Sequence, residues 1–139
     1  VNLFGPLLFT QYVAKKMMRQ KSGSIVNLTS TAGLLADPGT LAYGGSKASL
    51  GHASRVLATE LGPLGIRVNA VLPGSTDTTM LQSFIAGDEG MAKIIASSNI
   101  HGRLIEPDEI ASAVVWLASP HAGMVNGQSL IVDGGGLVR

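Results

Sequence analysis

Positions Leu7, Leu8, Gln11, Tyr12, Lys15 and Met18 stand at helical intervals, so the opening twenty residues read as a helix. No capping residue precedes it, and "KSG" (21–23) closes it with Gly23 in the place of a helix stop. "SIVNLTS" (24–30) is a short β-branched run too brief for a helix and reads as a buried strand with Ser30 at its end. From about Tyr43 to Leu61 the apolar positions Ala48, Leu50, Ala53, Val56, Leu57 and Leu61 mark one long helix, which "GPLG" (62–65) terminates. "IRVNAVLPG" (66–74) repeats the strand pattern and breaks at Pro73-Gly74. Residues 75–102 read as irregular, with Gly87 and Gly90 separating short apolar patches. "EPDEIASAVVWLAS" (106–119) reads as a helix with Pro107 in its first turn, and "QSLIVDGGG" (128–136) as a last strand.

Strands alternating with long helices predict right-handed crossovers and a parallel sheet covered on both faces. The expected fold class is therefore α/β, a doubly wound, Rossmann-like parallel sheet in three αβα layers. Such a sheet is normally built from two βαβαβ halves. Three strands supply one half, and the chain opens in mid-element without an initiator Met. Residues 1–139 are expected to be a single unit that supplies one half of such an architecture, a piece of a longer chain.

Composition narrows the partners. Net charge is +1 and no basic run exceeds Lys15-Lys16, which leaves no electrostatic footprint for nucleic acid or an anionic membrane. Without cysteine there is no disulfide, thiolate metal site or thiol nucleophile. His52, His101 and His121 show no spacing that converges on a metal, so no metal is expected. No apolar stretch approaches the ~18 residues that span a bilayer, and the reading is a cytoplasmic protein acting on a small molecule. Asn27 and Asn69, polar residues inside apolar strands, are expected to satisfy buried backbone. The patch 79–95 reads equally as a lid over an apolar substrate or as packing.

Ligands of open α/β sheets bind beyond the carboxyl ends of the strands, where Ser30, Pro73-Gly74 and the Asp133 cluster fall. Tyr43 lies thirteen residues after Ser30, and Lys47 four after Tyr43. The i, i+4 spacing puts phenol and ammonium on one helix face. A phenol ordinarily titrates near about 10, and a neighbouring cation moves it toward a useful range. A hydroxyl held on a rigid strand end can bind the same substrate oxygen. Together these groups suit protonating a carbonyl or deprotonating an alcohol.

On these motifs the chain resembles the C-terminal half of the classical short-chain dehydrogenases/reductases. "YGGSK" matches the family's Tyr-x-x-x-Lys, "VNLTS" its serine, and Asn2 in "VNLFG" its asparagine. The resemblance implies an NAD- or NADP-dependent oxidoreductase that interconverts a secondary alcohol and a ketone, 3-oxoacyl-carrier substrates among the candidates. Tyr43 is then the acid/base, and Lys47 lowers its pKa and binds the nicotinamide ribose. Ser30 orients the substrate oxygen and Asn2 holds a relay water. "RVNAVLPG" with "STDTTM" is similar to the family's cofactor segment, which makes Pro73, Gly74, Thr76 and Thr78 cofactor candidates beside Tyr43 and Lys47. A homotetramer or homodimer is implied too. The family's glycine-rich pyrophosphate turn has no counterpart here, and the residues that choose NAD or NADP are expected upstream of Val1. Two other readings stand beside this one. The first is a non-catalytic fragment acting as an assembly module. The second is a sugar-nucleotide epimerase or dehydratase, against which the Pro-Gly segment and "VDGGG" weigh.

Overall fold

The computed structural model describes residues 1–138. Three strands, β1 (Gly23–Leu28), β2 (Ile66–Pro73) and β3 (Ser129–Val132), form one parallel sheet in the order β1-β2-β3. Register pairs Ile25 with Val68, Asn27 with Ala70, and Val71 with Leu130. Helices α1 (Phe4–Gln20) and α2 (Leu41–Leu61) cover one face, where Ala14, Ile25, Ala58, Leu61, Ile66 and Val68 form a core cluster. Helix α5 (Pro107–Ala118) covers the other, and Ile110 and Leu117 pack there with Val71, Ile105 and Ala122. The doubly wound αβα layering is as the hydrophobic pattern indicated. Among the described residues no helix is long and apolar enough to cross a membrane.

The expected handedness holds for only one crossover. Strand order advances in one direction from β1 to β2 to β3, yet α2 and α5 lie on opposite faces. The two connections must therefore have opposite hands. Parallel crossovers are right-handed in nearly all sheets. The path from β2 to β3 is the longer of the two and carries α3 and α4 before α5.

Several element boundaries, and one whole segment, also differ from the sequence expectation. Lys21, with φ 52°, takes the left-handed turn at the end of α1, while Gly23 opens β1. A Cβ at Gly23 would meet Met17 Cγ at 2.8 Å, so the glycine serves close packing of α1 on the sheet. The segment read as irregular contains α3 (Thr79–Ile85) and α4 (Glu89–Ala96). Each begins on an N-cap side chain: Leu81 N–H donates to Thr78 Oγ1 at 3.3 Å, and Met91 N–H to Asp88 Oδ1 at 2.8 Å. Strand β1 ends at Leu28, two residues before Ser30, and β3 ends at Val132.

Polar groups inside the sheet layers are fully employed. Asn69, with no exposed surface, donates to the Val125 carbonyl and accepts from Gln128 N–H, each at 2.9 Å. Asn27 instead bonds a side chain, donating to Ser54 Oγ at 2.9 Å, and Ser54 donates onward to the Leu50 carbonyl. Arg67 caps the carboxyl end of α5 by donating to the carbonyls of Leu117 and Ser119, and it also reaches Val125.

At the other end of α5, the Glu109 carboxylate receives two guanidinium bonds from Arg103, at 2.7 and 2.8 Å, and the Glu106 N–H at 2.8 Å. These bonds lower its pKa from 4.5 to about 2, the Arg103 hydrogen bonds being the largest cause. A carboxylate with a depressed folded pKa stabilises above its unfolded value and loses that contribution as pH falls through the folded one. The thermal midpoint of the native protein should therefore exceed that of Glu109→Gln above pH 4.5, and the gap should close between pH 4.5 and about 2. A gap that is constant over this window in thermal melts would contradict the assignment.

Candidate active site

Parallel strands point their carboxyl ends to one edge, and the chemistry-bearing side chains collect there. Past the end of β1, Thr29 stays attached to β2: its N–H and its hydroxyl both donate to the Val71 carbonyl, at 2.8 and 3.0 Å. Ser30 follows in extended conformation (φ −170°, ψ 152°) and caps a 3-10 turn at Thr31–Gly33. Its Oγ accepts from Ala32 N–H at 3.2 Å and its carbonyl from Gly33 N–H at 3.0 Å. With the oxygen used as an acceptor, the Ser30 proton is left for donation outward.

Tyr43 lies in the first turn of α2 and is 37% exposed. One turn later, the Lys47 ammonium sits over the Tyr43 ring, 5.7 Å from its centroid, and donates to the Leu28 carbonyl at 3.0 Å. Burial pushes the Lys47 pKa below its ordinary 10.5. Lys47 thus ties α2 to the last residue of β1, two residues before Ser30. The 3-10 turn also presses directly on α2, since a Cβ at Gly33 would lie 2.8 Å from Ala48 N. Ser30, Tyr43 and Lys47 are brought together by these contacts.

Asn2 is placed differently. It lies exposed in the turn before α1, which runs antiparallel to β1 and so has its N-terminus at the carboxyl edge of the sheet. Among the described residues no hydrogen bond joins it to Ser30, Tyr43 or Lys47. Pro73 is the last residue of β2, and Gly74 N–H donates to the Val132 carbonyl at 3.0 Å. A Cβ at Gly74 would lie 2.9 Å from Asp133 Cβ, so only glycine fits between the ends of β2 and β3. Thr76 and Thr78 offer different hydrogen-bonding capacity. Thr76 Oγ1 donates to the Gly74 carbonyl at 3.0 Å, which commits its proton, whereas Thr78 accepts the Leu81 N–H and keeps its own.

Comparison with known proteins decides the family. The model of the family described as enoyl-(acyl carrier protein) reductase matches residues 1–136. A 2,5-dichloro-2,5-cyclohexadiene-1,4-diol dehydrogenase from Sphingobium indicum is 40% identical over 136 residues, covering 97% of this chain and 54% of the relative. A 3-oxoacyl-[acyl-carrier-protein] reductase from Synechocystis sp. is 38% identical over 136 residues, with 97% and 53% covered. The solved gluconate 5-dehydrogenase from Burkholderia cenocepacia, in complex with NADP and tartrate, superposes with TM-score 0.94 at 30% identity, covering 100% of this chain and 54% of that one. The chain belongs to the short-chain dehydrogenase/reductase family. It spans about half the length of the curated short-chain dehydrogenase relatives it matches.

Sequence reasoning missed several residues that build the edge of this site. Thr29 and Thr31 flank Ser30, and their hydroxyls pin the turn to β2. Asp133 was legible only as part of a cluster near a strand end. Its carboxylate accepts Gly135 N–H at 2.9 Å and Leu137 N–H at 2.8 Å, so it serves the glycine turn. An aspartate immediately ahead of glycines is itself a signal for such a turn. Buried Asn99 holds the facing segment, donating to the Arg103 carbonyl and accepting from Gly102 N–H. Among the described residues no group of three or more His, Asp or Glu side chains is placed to hold a metal ion.

Two glycines separate close packing from helix propensity. Gly33→Ala drives a methyl into the α2 backbone and is expected to cost about 1–3 kcal/mol in urea denaturation. Gly45→Ala, at a helical site with nothing within 4 Å of the added Cβ, should be neutral or stabilise by up to about 1 kcal/mol. Equal effects of the two substitutions would contradict the close approach.

Proposed function

We propose that residues 1–139 form one unit carrying the acid-base groups and the nicotinamide side of an NAD(P)-dependent oxidoreductase that interconverts a secondary alcohol and a ketone. The observation that carries this reading is the Lys47 ammonium, gripped by the Leu28 carbonyl over the Tyr43 ring at the strand end that presents Ser30. A carbonyl oxygen between Ser30 and Tyr43 accepts a hydrogen bond from the serine hydroxyl and, on reduction, the phenolic proton. Lys47 keeps positive charge beside that oxygen in a half-buried setting where it is weakly screened. Asn2 holds water at the same edge for proton return. In the oxidation direction the same groups act in reverse, with Tyr43 as base.

The edge fits a nicotinamide nucleotide. Only glycine fits where Gly74 lies at the end of β2, Thr78 retains a proton for a phosphate oxygen, and Lys47 is a cation placed for the ribose hydroxyls. Pro73 and Thr76 complete that segment. When bound, the nicotinamide supplies or accepts the hydride, and the protein contributes orientation and the proton. Either NAD or NADP suits these groups, and the NADP-bound gluconate 5-dehydrogenase shares the fold of this half. The adenosine side is assigned to further strands added along the free edge of β1, as in a two-half dinucleotide sheet.

A small alcohol or ketone is the substrate class, 3-oxoacyl thioesters included. Met80, Phe84 and Ile94 are exposed on α3 and α4 while Ile85 is buried, which favours an apolar cover over the substrate. Phe4, Leu8 and Tyr12 leave an exposed apolar face on α1, suited to a homodimer or homotetramer.

The test uses the full polypeptide that contains this chain, with NADH and NADPH and with a 3-oxoacyl thioester and cyclopentanone as carbonyl probes. Tyr43→Phe should lower kcat by about 10²–10⁴-fold with little change in nucleotide affinity. Retention of wild-type kcat in Tyr43→Phe would reject the acid-base assignment.

A further inference from the structure

In a parallel ladder the hydrogen bonds advance evenly, two residues at a time along each strand. The last backbone rung between β1 and β2 runs from Thr29 N–H to the Val71 carbonyl. The next would run from Thr31 N–H to the Pro73 carbonyl, but at that point the chain has turned into the 3-10 turn capped by Ser30. The Thr31 hydroxyl supplies the rung instead, donating to the Pro73 carbonyl at 3.2 Å from a buried position. Among the described residues this is the one side-chain hydrogen bond between the Ser30 turn and the 73–78 segment. The far side of that segment is already held, Gly74 N–H by the Val132 carbonyl and the Gly74 carbonyl by Thr76.

We propose that Thr31 is a positioning residue whose hydroxyl, bonded to the Pro73 carbonyl, sets the spacing between Ser30 and the Pro73-Gly74 segment. The inference rests on the oxidoreductase reading above. Ser30 orients the substrate oxygen and Pro73-Gly74 lines the nicotinamide, so this hydrogen bond links the supports of the two reacting partners directly, beyond the Thr29 bonds to Val71. It acts through Ser30 and Pro73, and Thr31 itself touches neither substrate nor nucleotide. Its loss changes alignment in the reacting complex while the surfaces that bind each ligand stay in place.

The test compares Thr31→Val, which keeps the shape and removes the donor, with Thr31→Ser, which keeps the donor. Both are made in the full polypeptide and assayed with NADH and NADPH against a 3-oxoacyl thioester and cyclopentanone. Thr31→Val should lower kcat about 10- to 100-fold with nucleotide Kd and carbonyl KM within about threefold, and Thr31→Ser should restore most of kcat. A merely structural role would lower Tm and leave the kcat of the folded enzyme unchanged. Should Thr31→Val not fold, Thr31→Ala against Thr31→Ser reads the same difference. Wild-type kcat in Thr31→Val, or an equal fall in Thr31→Val and Thr31→Ser, overturns the inference. Loss of turnover in Tyr43→Phe alongside a fully active Thr31→Val overturns it alone, whereas absence of nicotinamide-dependent turnover in the wild-type protein overturns the oxidoreductase reading with it.

Discussion

The whole arrangement hangs on the burial of the central strand. Ile66, Val68, Ala70 and Val71 of β2 have no exposed surface, and each large side chain buried in this way contributes about 1.5–3 kcal/mol. A strand closed in by helices on both faces and by a neighbour on each edge has no freedom to shift. Its carbonyls at and beyond the end of β1 therefore form a fixed row of acceptors, which Thr29 and Thr31 use. Asn69, equally buried, ties the start of β3 to the same strand, so the Val132–Asp133 end that bounds Gly74 is referenced to it as well. Serine turn and glycine segment are held to one ruler.

Against this frame the helix face carrying Tyr43 and Lys47 is docked by two short-range contacts of different kinds. One is steric, Gly33 against the backbone of Ala48; the other is polar, the Lys47 ammonium on the Leu28 carbonyl. The polar contact keeps a cation partly out of water, where its field on a neighbouring oxygen is less damped than at the surface. Partial desolvation also depresses the lysine's own pKa below its ordinary value.

Much of this was legible in the sequence. β-Branched runs bounded by glycine gave the three strands, and the i, i+4 spacing of Tyr43 and Lys47 put both on one helix face, where the ammonium lies over the ring. Periodicity failed where a different force decides the structure. Capping by Thr78 and Asp88 starts α3 and α4 although Gly87 and Gly90 interrupt the apolar repeat. Lys21, not Gly23, takes the left-handed turn that closes α1, while Gly23 packs against Met17. Thr29 and Thr31 look like ordinary strand-end polar residues until β2 is laid beside them. The opposite hands of the two crossovers depend on which face α5 covers, a property that no local pattern encodes.

Transfer of isotope from the nicotinamide to the carbonyl carbon tests the central claim most directly. NADH and NADPH dideuterated at the nicotinamide C4 would be incubated with the full polypeptide and a 3-oxoacyl thioester or cyclopentanone, and the alcohol examined by mass spectrometry. The account predicts one deuterium on the carbinol carbon of the product. Absence of product, or an alcohol formed without label, would contradict it.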